Sequence, residues 1–130
     1  KHLDISYLKN VIKNRSVSIK NLIMNQNIIV GIGNIYACEA LHMSKIKPQK
    51  KSKLLSNNEL SLLVNNIKYV LRKAIAAGGT TLKDFKSLDG STGYFKQELL
   101  IYNKEYCKCG KKVKNVKLGG RSSFYCICQK

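Results

Sequence analysis

The chain has 130 residues, with 24 Lys+Arg against 7 Asp+Glu and therefore a formal net charge of +17. Its apolar fraction of 44% argues against a disordered chain, and no apolar run reaches the roughly 18 residues of a membrane span. The first residues show no signal region, so we expect a soluble piece of a longer protein. The positive charge favours a nucleic-acid partner, because Lys and Arg neutralise phosphates. The alternatives are a solvated basic surface without a ligand and a basic helix on a membrane surface.

Two short helices are predicted at the start of the chain. Apolar residues recur at helical spacing over residues 5–14, and Asp4 stands where an N-cap is expected. Ser18 precedes a second such pattern, which predicts a helix from about 18 to 25.

The next segment contains two glycines at alternate positions. Gly31 and Gly33 follow a β-branched run and predict tight turns, after which Asn34 is placed to cap a third helix. A glycine turn that leads into a helix exposes backbone N–H groups at the positive end of the helix dipole, which suits a phosphate; the alternative is simply a turn and a cap. Cys38 stands alone in this helix and is predicted to be a small buried hydrophobe.

A basic loop and a long helix follow. Residues 45–53 hold five lysines around Pro48 and are predicted to be a connecting loop. Ser56 and Glu59 form a capping box that opens a strong helix, and Gly78-Gly79 is expected to end it. Residues 80–95 are predicted to be an ordered loop.

Four cysteines lie in the last 24 residues, in two C-x-C pairs: Cys107, Cys109, Cys126 and Cys128. Between the pairs, alternating residues and Gly119-Gly120 predict a β-hairpin with a primed turn. Without a secretory signal the cysteines are better explained as ligands of one structural Zn²⁺ than as disulfides, and the alternative is an oxidisable tail without metal. The predicted fold class is mainly α, a helix bundle followed by a small C-terminal hairpin.

Several segments together resemble one family. Asn25-Gln26 and residues 31–41 resemble the helix–two-turn–helix element of the formamidopyrimidine-DNA glycosylases. The resemblance continues through residues 78–85, 89–90 and 93–95, and it closes with residues 120–126 and 128–129. The segments occur in the family's order and cover nearly the whole chain.

The resemblance implies a bacterial-type base-excision-repair enzyme. Such enzymes remove oxidised purines (8-oxoguanine, formamidopyrimidine) and then cleave the strand by β,δ-elimination. It implies a helix–two-turn–helix domain over residues 1–95, with a lesion-covering loop at about 80–95, and a zinc finger over residues 96–130. The implied partners are an N-terminal catalytic domain and double-stranded DNA with an oxidised base or abasic site. The protein would be a monomer that works with the chromosome in the cytoplasm and not at a membrane.

The resemblance also implies roles for individual residues. Asn34 and Arg121 would grip phosphates, with Gly33 beside them at the DNA, and Glu39 would lie near the active site. Four cysteines would hold the zinc, although each C-x-C pair is one residue shorter than in the family. The loop over the flipped base would contain Asp89, Gly90, Ser91, Thr92, Gly93 and Tyr94.

The resemblance assigns no catalytic residue to this chain. The family's nucleophile is an amino-terminal proline followed by glutamate, whereas this sequence begins Lys-His and its single proline, Pro48, is internal. We therefore expect the chain alone neither to excise a base nor to cut an abasic site.

Two other functions remain open at this stage. A stand-alone nucleic-acid-binding module is one, because ribosomal and topoisomerase proteins also use a helix–two-turn–helix. The endonuclease VIII branch of the same family, which prefers oxidised pyrimidines, is the other.

Overall fold

The computed structural model describes residues 3–76 and 99–130, and it confirms the mainly α class with a small C-terminal hairpin. None of the helices in these two ranges is long and apolar enough to cross a membrane. The predicted helix end at Gly78-Gly79 and the loop at 80–95 lie outside the described residues. The elements are α1 (Ile5–Ile12), α2 (Ile19–Met24), α3 (Asn34–Met43), a 3₁₀ turn (Ser52–Leu54), α4 (Asn57–Ala76), β1 (Lys114–Leu118) and β2 (Arg121–Tyr125).

Three helices begin at the caps that the sequence predicts. The Asp4 carboxylate accepts the N–H of the third residue of α1 at 2.8 Å, and the Ser18 hydroxyl does the same for α2 at 3.2 Å. Ser56 and Glu59 exchange two hydrogen bonds of 2.9 and 3.1 Å between side chain and backbone, as a capping box requires. These local predictions are confirmed.

The predicted cap of α3 is wrong by one residue. Gly33 is the N-cap, and it offers no side-chain hydrogen bond, while Asn34 is the first residue of the helix itself. The Asn34 side chain bonds partners from distant parts of the chain instead of capping its own helix. Gly31 makes the preceding turn at φ +99°, which favours glycine.

The helices enclose the main core. Helix α3 packs against α2 and α4, and α1 also packs on α4. All seven residues from 36 to 42 are buried, so α3 is covered on every side. One side joins the main core through residues such as Ala37, Ala40 and Leu41, while Cys38, buried as predicted, joins a second, smaller core.

The basic loop runs antiparallel to the segment that leads into α2. The N–H of Ile19 donates to the carbonyl of Lys50 at 2.8 Å, and the N–H of Lys53 donates to the carbonyl of Arg15 at 3.0 Å. This pairing exposes the side chains of Arg15, Lys51 and Lys53 together. The Lys50 ammonium is neutralised by Glu59 at 2.9 Å.

The hairpin has the predicted turn. Strands β1 and β2 pair antiparallel from Lys114 opposite Tyr125 to Leu118 opposite Arg121. Gly119 and Gly120 both have positive φ, +58° and +78°, as a primed turn requires. A Cβ added to Gly119 would lie 2.9 Å from the side-chain oxygen of Asn21, so the turn also approaches α2 closely.

A buried carboxylate fastens the C-terminal residues to α3. Glu39 accepts backbone N–H groups from Leu100, Ile101 and Tyr102, at 2.7, 2.9 and 2.8 Å. The second core forms beside this contact, from Cys38, Ile101, Cys107 and Cys126. The hairpin therefore does not fold on a core of its own, because α3 supplies part of it.

Replacing Glu39 should loosen the C-terminal residues from the helices. In Glu39→Ala the three N–H groups lose a charged acceptor in a buried place, and we expect unfolding free energy to fall by about 3–5 kcal/mol. Urea denaturation followed by circular dichroism measures this loss. The control is Glu59→Ala, which removes a surface capping box and should cost about 1 kcal/mol; equal losses in the two variants would contradict the assignment.

Candidate functional site

The strand that begins with Arg121 meets the N-terminus of α3 at Asn34, and the family resemblance predicts that both residues bind phosphate. The amide nitrogen of Asn34 donates to the carbonyl oxygen of Ser122 at 3.0 Å, across 88 positions of sequence. Arg121 immediately precedes Ser122, and its side chain is exposed. The fold thus brings the guanidinium-bearing strand to the positive end of a helix.

A buried lysine, which the sequence analysis missed, organises this corner. The Lys20 ammonium is fully buried and donates to the Ser123 hydroxyl at 2.7 Å and to the side-chain oxygen of Asn34. Burial lowers the pKa of Lys20; the Cys38 thiol opposes this fall and the charge of Arg121 reinforces it. The only sequence signal is a lysine among the apolar positions of α2, and such lysines usually reach the surface.

Lys20 also fixes the orientation of the Asn34 amide. Because the side-chain oxygen of Asn34 accepts from the ammonium, its NH₂ group must point the other way, toward Ser122. An amide NH₂ has two hydrogens, so one remains for a ligand. A Cβ on Gly33 would meet nothing within 4 Å, which leaves open space at the N-cap. Together with Arg121 and the helix dipole, this arrangement suits a phosphate.

The remaining predicted site residues are placed elsewhere or lie outside the described ranges. Glu39 is on the same helix as Asn34, but its carboxylate is engaged by the backbone of residues 100–102. Residues 89–94, which the resemblance assigns to the lesion loop, are not among those that the structure describes.

The four C-terminal cysteines converge into one cluster. Their Sγ atoms all lie within 4.8 Å of one another. Two of the separations are 3.9 Å (Cys107 to Cys128) and 3.4 Å (Cys109 to Cys126). A tetrahedral zinc with bonds of about 2.3 Å to sulfur places its sulfurs about 3.8 Å apart, so the donor set fits this ion.

Each C-x-C pair forms a tight turn. The N–H of Gly110 donates to the carbonyl of Cys107, and the N–H of Gln129 to that of Cys126, both at 2.9 Å. A backbone N–H of Lys111 lowers the pKa of the exposed Cys109 to about 7, whereas burial raises the pKa of Cys107. The two C-x-C pairs therefore bring four sulfurs close to one point, and the thiol of Cys109 has the lowered pKa.

Comparison with known proteins identifies what the chain is similar to. Residues 1–86 match the model of the formamidopyrimidine-DNA glycosylase H2TH domain. The formamidopyrimidine-DNA glycosylase of Rickettsia bellii is 48% identical over 131 residues, which are 98% of this chain and 48% of the relative. The same enzyme from Zymomonas mobilis is 48% identical over 127 residues, 95% of this chain and 47% of the relative. The chain spans about half the length of the curated relatives it matches.

Solved structures show the same likeness. A Lactococcus lactis Fpg in complex with DNA containing an abasic site has a TM-score of 0.84 and 33% identity, over 98% of this chain and 48% of that one. MutM in complex with DNA containing carbocyclic 8-oxo-G matches with the same TM-score of 0.84, 33% identity and coverages of 98% and 48%.

Removing the Lys20 ammonium should release the hairpin from α2 and α3. In Lys20→Met, Asn34 and Ser123 lose a charged donor at a buried contact, and we expect backbone amides of β2 to exchange with solvent about tenfold faster. Amide hydrogen exchange measured by NMR gives this rate. Lys114→Met, at an exposed position of β1, is the control, and unchanged exchange in Lys20→Met would contradict the role given to Lys20.

Proposed function

Because the chain belongs to the formamidopyrimidine-DNA glycosylase family, we propose that it is the DNA-binding half of a base-excision-repair glycosylase and abasic-site lyase acting on oxidised purines. The observation that carries this proposal is the phosphate-binding corner, where the side chain of Asn34, held by Lys20, contacts the residue next to Arg121.

The proposed substrate class is duplex DNA with an oxidised purine or an abasic site. The similar solved structures hold DNA with an abasic site and with carbocyclic 8-oxo-G. The two bacterial relatives are formamidopyrimidine-DNA glycosylases by name, which disfavours both the stand-alone module and the endonuclease VIII branch. The relatives are bacterial, and we propose that the protein acts as a monomer on the chromosome in the cytoplasm.

We propose that the corner contacts the DNA backbone and that other residues contact the lesion. Arg121 supplies a charged, forked donor, Asn34 a neutral one, and the first turn of α3 a positive dipole, all suited to phosphate oxygens. Phosphate contacts fix the register of a duplex without reading its sequence. Gripping the backbone near one nucleotide would help to keep its base extruded, and we propose that residues 89–94 cover that base.

The proposed metal is one structural Zn²⁺, held by the four cysteines as thiolates. When bound, the ion supplies folding energy and no chemistry of the reaction. It would fix the hairpin whose second strand begins at Arg121, so the metal centre and the phosphate-binding corner share a strand. We also propose that residues 1–95 and 96–130 are functionally separate parts of this chain. The catalytic amine is proposed to lie in the catalytic domain, which is outside this chain.

The corner predicts how two substitutions should change DNA binding. Asn34→Ala and Arg121→Ala should each weaken binding to duplex DNA by about 1–3 kcal/mol, on undamaged as well as abasic-site duplexes. Affinity should fall steeply with salt because of the +17 charge. Only Arg121→Ala should reduce the salt slope, by about 1, because Asn34 carries no charge.

Fluorescence anisotropy over a salt series measures both quantities. Asn58→Ala and Lys68→Ala, two exposed positions on α4, are the matched controls. Wild-type affinity in both corner variants would defeat the proposed function, as would a wild-type chain whose binding ignores salt. An effect confined to abasic-site DNA would show that the corner reads the lesion.

Metal content should be one zinc per chain. Elemental analysis of the purified chain counts the metal, and chelation should remove it and unfold the hairpin while most of the helical signal remains. The helices should persist because, of the residues that the structure describes, those of the main core lie within 3–76 apart from a contribution by Leu99. A metal-free chain with an intact hairpin would contradict this prediction.

A further inference from the structure

Two buried polar side chains, His42 and Gln129, connect the end of α3 with both cysteine pairs. The imidazole Nδ1 of His42 lies 2.9 Å from the side-chain oxygen of Gln129, and its Nε2 lies 3.9 Å from the sulfur of Cys107. The exposed fractions are 7% for His42 and 1% for Gln129, so solvent does not compete for these contacts. Neither residue is among the four cysteine ligands that fit the metal.

The hydrogen bonds of Gln129 determine which way its amide points. Its nitrogen donates to the carbonyl of Ile46 at 2.6 Å, and its oxygen accepts the backbone N–H of Cys126 at 2.8 Å. Exchanging the oxygen and nitrogen would set two donors against each other at Cys126 and two acceptors at Ile46. The amide is therefore fixed, and its oxygen faces His42.

This orientation fixes the roles of the imidazole nitrogens. Since the oxygen of Gln129 only accepts, Nδ1 of His42 carries the hydrogen of that bond. Nε2 then lies against the sulfur of Cys107, and donating to a thiolate there requires a hydrogen on this nitrogen as well. The chain of contacts runs from the backbone of Cys126, in the second pair, through two side chains to the sulfur of the first pair.

We propose that His42 and Gln129 are positioning residues for the metal, which hold the two shortened cysteine pairs at the spacing that the ion requires. The proposal rests on the zinc site proposed above. Ligands of structural metals are commonly oriented by such outer contacts. Here the contact of His42 comes from a helix outside the hairpin, and it adds to the backbone turn of each pair and to the bond from the N–H of Cys107 to the carbonyl of Lys111.

The same contacts link the metal with the opposite end of α3. His42 lies in the last turn of that helix and Asn34 is its first residue, about 12 Å away at the rise of an α-helix. Residues 36–42 of α3 are all buried, so the helix connects the two sites through the packed interior. The metal therefore supports the position of the phosphate-binding corner through the helix as well as through the hairpin.

Three substitutions of His42 separate its two contacts. His42→Asn keeps a donor near the position of Nδ1 but cannot reach Cys107, His42→Gln places its amide nitrogen near Nε2, and His42→Phe removes both. We expect zinc affinity to fall about 10- to 100-fold in the Phe and Asn variants, with the Gln variant closer to wild type. Gln129→Met should also weaken zinc binding, and the double variant with His42→Phe should lose less than the product of the two single losses.

Zinc affinity of the 130-residue chain is measured by competition with a chromophoric chelator, and Co²⁺ absorption reports the geometry of the thiolate site. Ser44→Ala is the control, because Ser44 is also buried at the end of α3 but bonds Ala40 and Asn66. Helical circular dichroism shows that each variant is folded. If His42→Phe is unfolded, the comparison of zinc affinity between His42→Asn and His42→Gln decides.

The outcomes distinguish this proposal from the zinc site itself. Wild-type affinity and an unchanged Co²⁺ spectrum in His42→Asn would overturn the positioning role, and so would equal behaviour of the Asn and Gln variants. A wild-type chain that binds no zinc would refute the metal site first, and the positioning role with it. If the loss of zinc affinity in the double variant equals the product of the two single losses, Gln129 does not act through His42.

Discussion

Helix α3 buries polar groups on the side that faces the C-terminal residues, and the need to satisfy them determines how the two parts of the chain fit together. The carboxylate of Glu39, the imidazole of His42 and the amide of Asn34 each find partners beyond residue 98. A buried polar group without a partner costs free energy, whereas apolar contacts tolerate many arrangements. The apolar cores thus supply stability, and these polar contacts select one position for the hairpin.

This construction explains how a small hairpin can help to form a binding site. Its second core is completed by Cys38 of α3 and by Ile101, so the cysteine cluster is anchored on a helix that belongs to the main core. Arg121 begins the strand that packs on this helix, so its backbone is held near the helix N-terminus at Asn34. An anion site gains most from donors that are fixed before the ligand arrives, because binding then requires less ordering.

Local features were predictable from the sequence and long-range ones were not. The caps at Asp4, Ser18 and Ser56 depend on residues three positions apart, and the paired glycines at 119 and 120 determine their own turn. Asn34 was predicted to be a cap by the same local rule, and that prediction was wrong because Lys20 and Ser122 bind its side chain. Lys20 bonds Ser123 across 103 positions and His42 bonds Gln129 across 87, which no local pattern encodes.

The contact between Lys20, Asn34 and Ser123 also restricts how the sequence can change over evolutionary time. Substituting any one member removes a hydrogen-bond partner from the others at a largely buried contact, whereas replacing all three by apolar residues of similar shape avoids that loss. Intermediate sequences are thus less stable than either end state, a form of epistasis, although only the polar state keeps the Asn34 amide for a phosphate. The three positions should vary together across relatives or remain unchanged together, even though one lies in α2, one in α3 and one in the hairpin.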